Sequence, residues 1–139
     1  MTAKQYLEQY GILTERIRQL NIDIMMLEAE YESVSIDYSG MPHGTTIAKR
    51  TESLAIRMSD LRLKKVRLRD EAISKRDEIV DVISRVSDPL HSRLLYDRYI
   101  LFMTWEKVAE DCDKSDKWCR TRLHSNALQS VKIILDSSL

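Results

Sequence analysis

Proline and glycine are scarce in this chain, two and three respectively among 139 residues. A fold made of tight β-turns needs many more, and so does a flexible low-complexity polymer. Cysteine is nearly absent: Cys112 and Cys119 are the only two, too few for a disulfide framework, so a reduced, cytoplasmic protein is expected. Long apolar runs are missing. No stretch approaches the ~18 residues of a membrane span, and "MTAKQYLEQYG" lacks the apolar core of a secretory signal, so no membrane partner is expected. Net charge is missing too: 22 Lys and Arg balance 22 Asp and Glu, and the total names no partner. There is no glycine-rich phosphate loop, no nucleophile elbow and no paired-carboxylate pattern, and His43 and His91 have no evident catalytic partner. Neither an enzyme nor a cofactor is expected. Cys112, Cys119 and His124 contain no close pair with zinc-ligand spacing, so no metal is expected and the thiols are assigned to a core.

What the chain has is charge and periodicity. Charged residues make up 32% and hydrophobic ones 43%, the balance of an all-α protein with much surface. From Tyr6 onward the apolar residues step by alternating fours and threes: Tyr6, Tyr10, Leu13, Ile17, Leu20, Ile24, Leu27, Tyr31, Val34. That is the heptad spacing of a coiled-coil seam. A helix is expected from about Ala3 to Asp37, with Gly11 inside it, off the seam, at a cost of about 1 kcal/mol relative to Ala. The segment "YSGMPHGTT", Tyr38 to Thr46, then breaks the chain with two glycines and a proline. A second helix follows, from about Ile47 to Val86. Its stripe is Ile47, Leu54, Met58, Leu61, Leu68, Ala72, Ile79, Val82 and Val86, with polar gaps at Thr51, Lys65 and Lys75. Met25, Met26 and Met58 are expected to fill seams.

Neither stripe can stay solvated alone, and the short break favours a long antiparallel helical hairpin over residues 1–87. Residues 1–46 carry 3 basic and 7 acidic side chains, residues 47–86 carry 11 and 7, so the two helices attract. The expected register sets "RLKKVRLR", Arg62 to Arg69, near Arg16 and Arg18 rather than near the acidic "EAEYE" of Glu28 to Glu32. Positive charge is then left over for solvent, for phosphate or for another subunit.

Residues 88–139 read as a small three-helix module. Asp88 is the expected N-cap of a helix opening at Pro89 and carrying Leu90, Leu94, Leu95 and Tyr99. Thr104 caps "WEKVAEDC", which buries Trp105, Val108, Ala109 and Cys112. Ser115 caps the last helix, with Cys119, Leu123, Ala127, Leu128, Val131 and Leu135 on its apolar face. The second and third helices have the outline of a DNA-reading helix-turn-helix. Ala109 is the small residue that lets the later helix cross close. Asp113 stands at the turn, where φ > 0 is needed and glycine is commonest. Lys114 replaces the usual apolar residue under the turn. The later helix holds one residue too many, because Leu123 rather than Arg122 is the next apolar residue after Cys119. The expected effect is to shift the angle at which the helix beyond Cys119 presents itself. Lys117, Arg120, Arg122 and Lys132 face a single acid, Asp116, in this helix, so its cations suit a phosphate backbone. Lys117, Trp118, Arg120 and Thr121 are expected nearest the bases, Lys114, Ser115 and His124 near phosphates, and Arg122 completes the candidate set.

The stretch "LLYDRYILFMTWEKVAEDC…LHSNALQSV" resembles the last domain of bacterial sigma factors, which reads the upstream promoter element. Over nearly its full length, through "AKQYLEQY", "SGMPHGTT", "DPLHSRLLYDRYI" and "W…RLHSNAL", the chain is similar to a family of small phage and prophage proteins. These in turn resemble late-gene transcription regulators of the ArpU and RinA type. The resemblance implies a regulator that binds double-stranded promoter DNA in a bacterial host cell beside RNA polymerase. A homo-oligomer, first of all a dimer, is the expected state, since a partly polar seam leaves apolar surface uncovered. The competing expectation is a structural or adaptor helical protein that binds a protein partner, RNA polymerase or a phage assembly factor, without touching DNA.

Overall fold

The computed structural model describes residues 1–37 and 45–138, with the side chains of residues 35–37, 45 and 47 excepted. The break at Tyr38–Thr46, with His43, therefore lies almost wholly outside the described residues, and so does the side chain of Ile47. The described residues are all-α, with no strand among them. Helix α1 spans Ala3–Asp37, as its heptads predict, and α2 spans Thr45–Ser84, two residues earlier at each end than expected. Three shorter segments follow: α3 (Pro89–Tyr99), α4 (Trp105–Cys112) and α5 (Asp116–Trp118). A π-helical turn, Cys119–Leu123, continues α5 into α6 (His124–Ser137) with helical backbone angles throughout.

The chain divides into two compact units, Thr14–Glu71 and Met1–Leu13 with Ala72–Leu139. That division differs from the expected boundary at 87/88. The reason is that Leu7, Ile79, Val82, Ile83 and Val86 belong to the same apolar cluster as Leu94, Leu95, Val108 and Val131. The ends of both long helices thus share a core with the short ones.

In the unit of residues 14–71, Leu27, Val34, Leu54 and Met58 form a core with Tyr31 and Leu61 against it. The Arg62 guanidinium lies 3.0 Å from Glu28 Oε1, and that of Arg50 lies 3.3 Å from Glu30 Oε1. Rising numbers in α1 therefore meet falling numbers in α2. The Arg62 contact corrects the expectation that the basic run stays away from Glu28. Helical side chains lean toward their own N-terminus, so on oppositely directed helices these two lean toward each other and close an offset of more than a turn. Met58 fills the seam, but Met25 and Met26 do not. They are 65% and 66% exposed.

In the other unit, Thr2 and Gln5 close a reciprocal box at the start of α1. Gln5 N–H donates to Thr2 Oγ1 at 3.1 Å, and Thr2 N–H to Gln5 Oε1 at 2.8 Å. Gly11 has a packing reason: a Cβ there would lie 3.3 Å from Phe102 Cε1. Phe102 holds φ 57°, unusual for an aromatic residue, and its ring stacks on Tyr10 with centroids 5.4 Å apart. Asp88 caps α3 as expected, accepting from Leu90 N–H at 2.9 Å, with Pro89 in the first turn. Both α4 and α6 pack on α3.

Candidate nucleic-acid interface

Thr104 starts α4, its Oγ1 accepting from Lys107 N–H at 3.3 Å. Val108, Ala109 and Cys112 form the buried side of α4. The helix ends in a Schellman turn: Lys114 N–H reaches Ala109 O at 3.1 Å and Asp113 N–H reaches Glu110 O at 3.3 Å. Asp113 takes the left-handed conformation, φ 55° and ψ 44°, that the sequence requires of it. The apolar contact that usually closes such a turn is missing because Lys114 is exposed.

Ser115 then opens the last helix, its Oγ accepting from Trp118 N–H at 3.1 Å. Cys119 and Leu123 turn inward at 0% and 5% exposure. The surplus residue between them is taken up by the π turn, in which His124 N–H reaches back five residues to Cys119 O. A π turn is a helix's way of housing one inserted residue, and it recurs at functional sites. Thr121 assists, donating its hydroxyl to Lys117 O at 2.6 Å and so competing for that carbonyl within the helix. The wide turn keeps Ala127 and Val131 in the core. The inserted residue is therefore absorbed locally, and the expected change of angle beyond Cys119 does not carry into the buried face.

Of the eight candidate residues, Lys114, Ser115, Lys117, Trp118, Arg120, Thr121 and Arg122 are exposed. Arg120 Nε lies 3.0 Å from Asp116 Oδ1, a charge contact rather than an aligned hydrogen bond. The Arg122 guanidinium sits 5.3 Å from the centroid of the Trp118 ring. Lys114 and Lys117 form no ion pair with any described residue.

His124 is the exception and is corrected. Its Nε2 is 2.7 Å from the Tyr99 hydroxyl, and its ring meets the Trp105 ring edge-on at 4.8 Å. Burial, helped by Lys4 and Arg98, pushes its pKa down to about 4. A neutral imidazole offers phosphate no positive charge. The sequence put it on the polar side because a histidine between Leu123 and Ala127 reads as solvent-facing. Only the aromatic shelf of Tyr99 and Trp105, brought together from α3 and α4, makes the half-buried position favourable. Arg98 belongs to the same corner, donating to Met103 O at 2.8 Å and lying 4.6 Å from the Trp105 centroid.

A second cluster escaped the sequence reading. Asp97 on α3 meets Asp111 and Cys112 on α4, with ligand atoms of all three within 4.8 Å of one another. Arg93 forks onto Asp111, Nε to Oδ2 at 2.8 Å and Nη2 to Oδ1 at 3.1 Å. Burial, then the neighbouring Asp111, pushes the Asp97 pKa up to about 6, while the contacts with Asp97 and Arg93 hold Asp111 low. Burial, then Cys119, pushes the Cys112 thiol up to about 11. The available signal was phase: Asp97 continues the apolar steps of Leu90 and Leu94 and so faces inward.

No protein-family model, no curated protein and no solved structure matches this chain.

Proposed function

We propose that this chain is a phage or prophage transcription regulator that binds promoter DNA through a helix-turn-helix made of α4 and the helix that begins at Asp116. One observation carries the reading. A left-handed turn at Asp113 and a Ser115 cap lead into a helix whose exposed side holds Lys117, Trp118, Arg120, Thr121 and Arg122, while Cys119 and Leu123 anchor its other side. The resemblance of "TWEKVAEDC" and "RLHSNAL" to sigma-like promoter readers supports the same reading.

In this mechanism the start of the last helix enters the major groove. Lys114 and Ser115 meet phosphates at its N-terminal end, where unpaired backbone N–H groups also favour an anion. Arg120 exchanges its exposed contact with Asp116 for guanine O6 and N7, an exchange that is cheap because solvent already screens the pair. Arg122 and Trp118 move as a stacked unit against the backbone or a base edge. The two long helices act as an antiparallel hairpin that joins two copies, so that the heads meet half-sites about 34 Å apart.

A second reading has its own observation. Ile22, Met25, Met26, Ile56, Leu63 and Val66 are exposed apolar residues on α1 and α2, which suits an adaptor that binds a protein such as RNA polymerase.

Fluorescence anisotropy with duplex DNA tests the first reading. Affinity is expected to fall steeply with salt, with a log–log slope of about −3 if three phosphates are neutralised. The Lys117→Glu, Arg120→Glu, Arg122→Glu variant is expected to lose at least tenfold in affinity while keeping its helicity, a loss of about 1.4 kcal/mol or more. Equal binding by the variant, or none by the native chain on the adjoining promoters, rejects DNA recognition and leaves the adaptor.

A further inference from the structure

Asp97 presents a problem of charge. It is only 5% exposed, and its Oδ2 is buried without a hydrogen-bond partner. Asp111, the carboxylate beside it, is already held by Arg93, so one guanidinium serves two acids. Asp97 shares a hydrogen bond with Asp111, but its buried Oδ2 has no partner of its own, and an uncompensated buried carboxylate oxygen is unfavourable, so this pair calls for a further cation. A proton is one such cation. The third group at the same point is a thiol, which a proton does not need.

We propose that Asp97, Asp111 and Cys112 bind one thiophilic divalent cation of the Zn²⁺ class. The donor set fits: two carboxylate oxygens and one sulfur suit zinc or cobalt better than magnesium or calcium, which prefer oxygen alone. The size fits nearly. Three donors no more than 4.8 Å apart leave a central cation at most about 2.8 Å from each, so closing to ~2.0–2.3 Å needs at most about half an ångström from the thiol and about 0.8 Å from each carboxylate. Charge fits as well. On binding, the Cys112 thiol releases its proton to solvent, and the metal–sulfur bond takes its place. Two carboxylates and one thiolate then balance a divalent ion and Arg93, leaving the half-buried site neutral. Each carboxylate oxygen has two lone pairs, so Asp111 can serve the metal and Arg93 together. The ion would tie α3 to the end of α4, one residue before the turn at Asp113. This inference is independent of whether the head reads DNA.

Cobalt titration of the full chain at neutral pH is the test. One Co²⁺ per chain is expected, with a thiolate-to-cobalt charge-transfer band that Zn²⁺ abolishes by displacement. Cys112→Ser is expected to remove the band. Asp97→Asn is expected to weaken binding by about tenfold or more with unchanged far-ultraviolet circular dichroism. If Cys112→Ser loses helicity, Asp97→Asn and Asp111→Asn carry the test, because both leave the thiol in place. Absence of the band, or a band of equal affinity in the Asp97→Asn and Asp111→Asn chains, overturns the site. So does an acid pair whose titration is unmoved by Co²⁺, which identifies the proton as the sole occupant.

Discussion

His124 and Asp97 respond to acid in opposite directions. The His124 pKa falls from an ordinary 6.5 to about 4 on folding, so the fold favours the neutral ring. Its contribution is fully present above about 6.5 and is lost as pH falls toward 4. Asp97 is raised from 3.8 to about 6, so its contribution is present in acid and is lost as pH rises through 6. Because His124 is only half-buried, its share is discounted to about 1–2 kcal/mol. Replacing His124 by Phe keeps a ring against Trp105 and removes the titrating group. Urea unfolding at several pH values is expected to show His124→Phe gaining stability relative to the native chain as pH falls from 7 to 4.5, because Asp97 contributes equally to both proteins and only the native chain has the His124 loss. Parallel curves for the two proteins would assign the acid sensitivity elsewhere. The variant is also expected to be about 1 kcal/mol less stable at neutral pH, since the Tyr99 hydroxyl loses its partner. Gly11 shows the same limit of residue-by-residue reading. Its cost within a helix is visible from sequence, but its use depends on Phe102, far away in the chain.

The turn after α4 is the element on which the head's geometry depends. Asp113 adopts φ 55°, where a side chain is strained and glycine is not. Asp113→Gly is therefore expected to stabilise the protein by about 0.5–1 kcal/mol, read as a higher midpoint in thermal unfolding. It also removes an acid next to Lys114 in the chain, so DNA affinity is expected to rise slightly. Destabilisation would mean that the Asp113 side chain contributes more than its backbone strain costs. Caps and turns of this kind were legible because they are local: Asp88, Thr104, Ser115 and Asp113 each act on residues within a turn of themselves. The full extent of α1 was legible for a related reason, a heptad repeat with few gaps. What could not be read depended on distant partners. Leu7 lies off the seam, yet it is fully buried because its neighbours are Ile79 and the cores of the short helices. The π turn sits between the two cases. One surplus residue was countable between Cys119 and Leu123, but the choice between rotating the helix and widening one turn depended on keeping Ala127 and Val131 in a core that the count does not show.

Over the whole molecule charge is separated rather than scarce. Residues 1–46 are net −4, residues 47–86 net +4, and residues 87–139 carry eight of each sign, so the neutral total conceals two helices of opposite sign. The ion pairs of Glu28 with Arg62 and Glu30 with Arg50 use part of that charge, while Lys64 and Arg67 stay exposed. Beside them run apolar residues that none of the described residues covers. Ile56, Leu63 and Val66 on α2 are each more than half exposed and follow heptad steps of seven and three. Ile22 and Met26 on α1, four residues apart on its more acidic helix, make a second exposed strip. The α1 of one copy against the α2 of another would bring apolar residues together and opposite charges beside them, so a dimer is the expected state under the proposed function. Leu63→Glu with Val66→Glu places two acids in that contact and leaves the core of residues 14–71 intact. Sedimentation is expected to show the native chain as a dimer and the variant as a monomer of equal helicity. The monomer is expected to lose the advantage of paired half-sites while keeping its affinity for a single one. A native chain that sediments as a monomer even at high concentration would instead leave these apolar strips to another protein, as the adaptor reading requires.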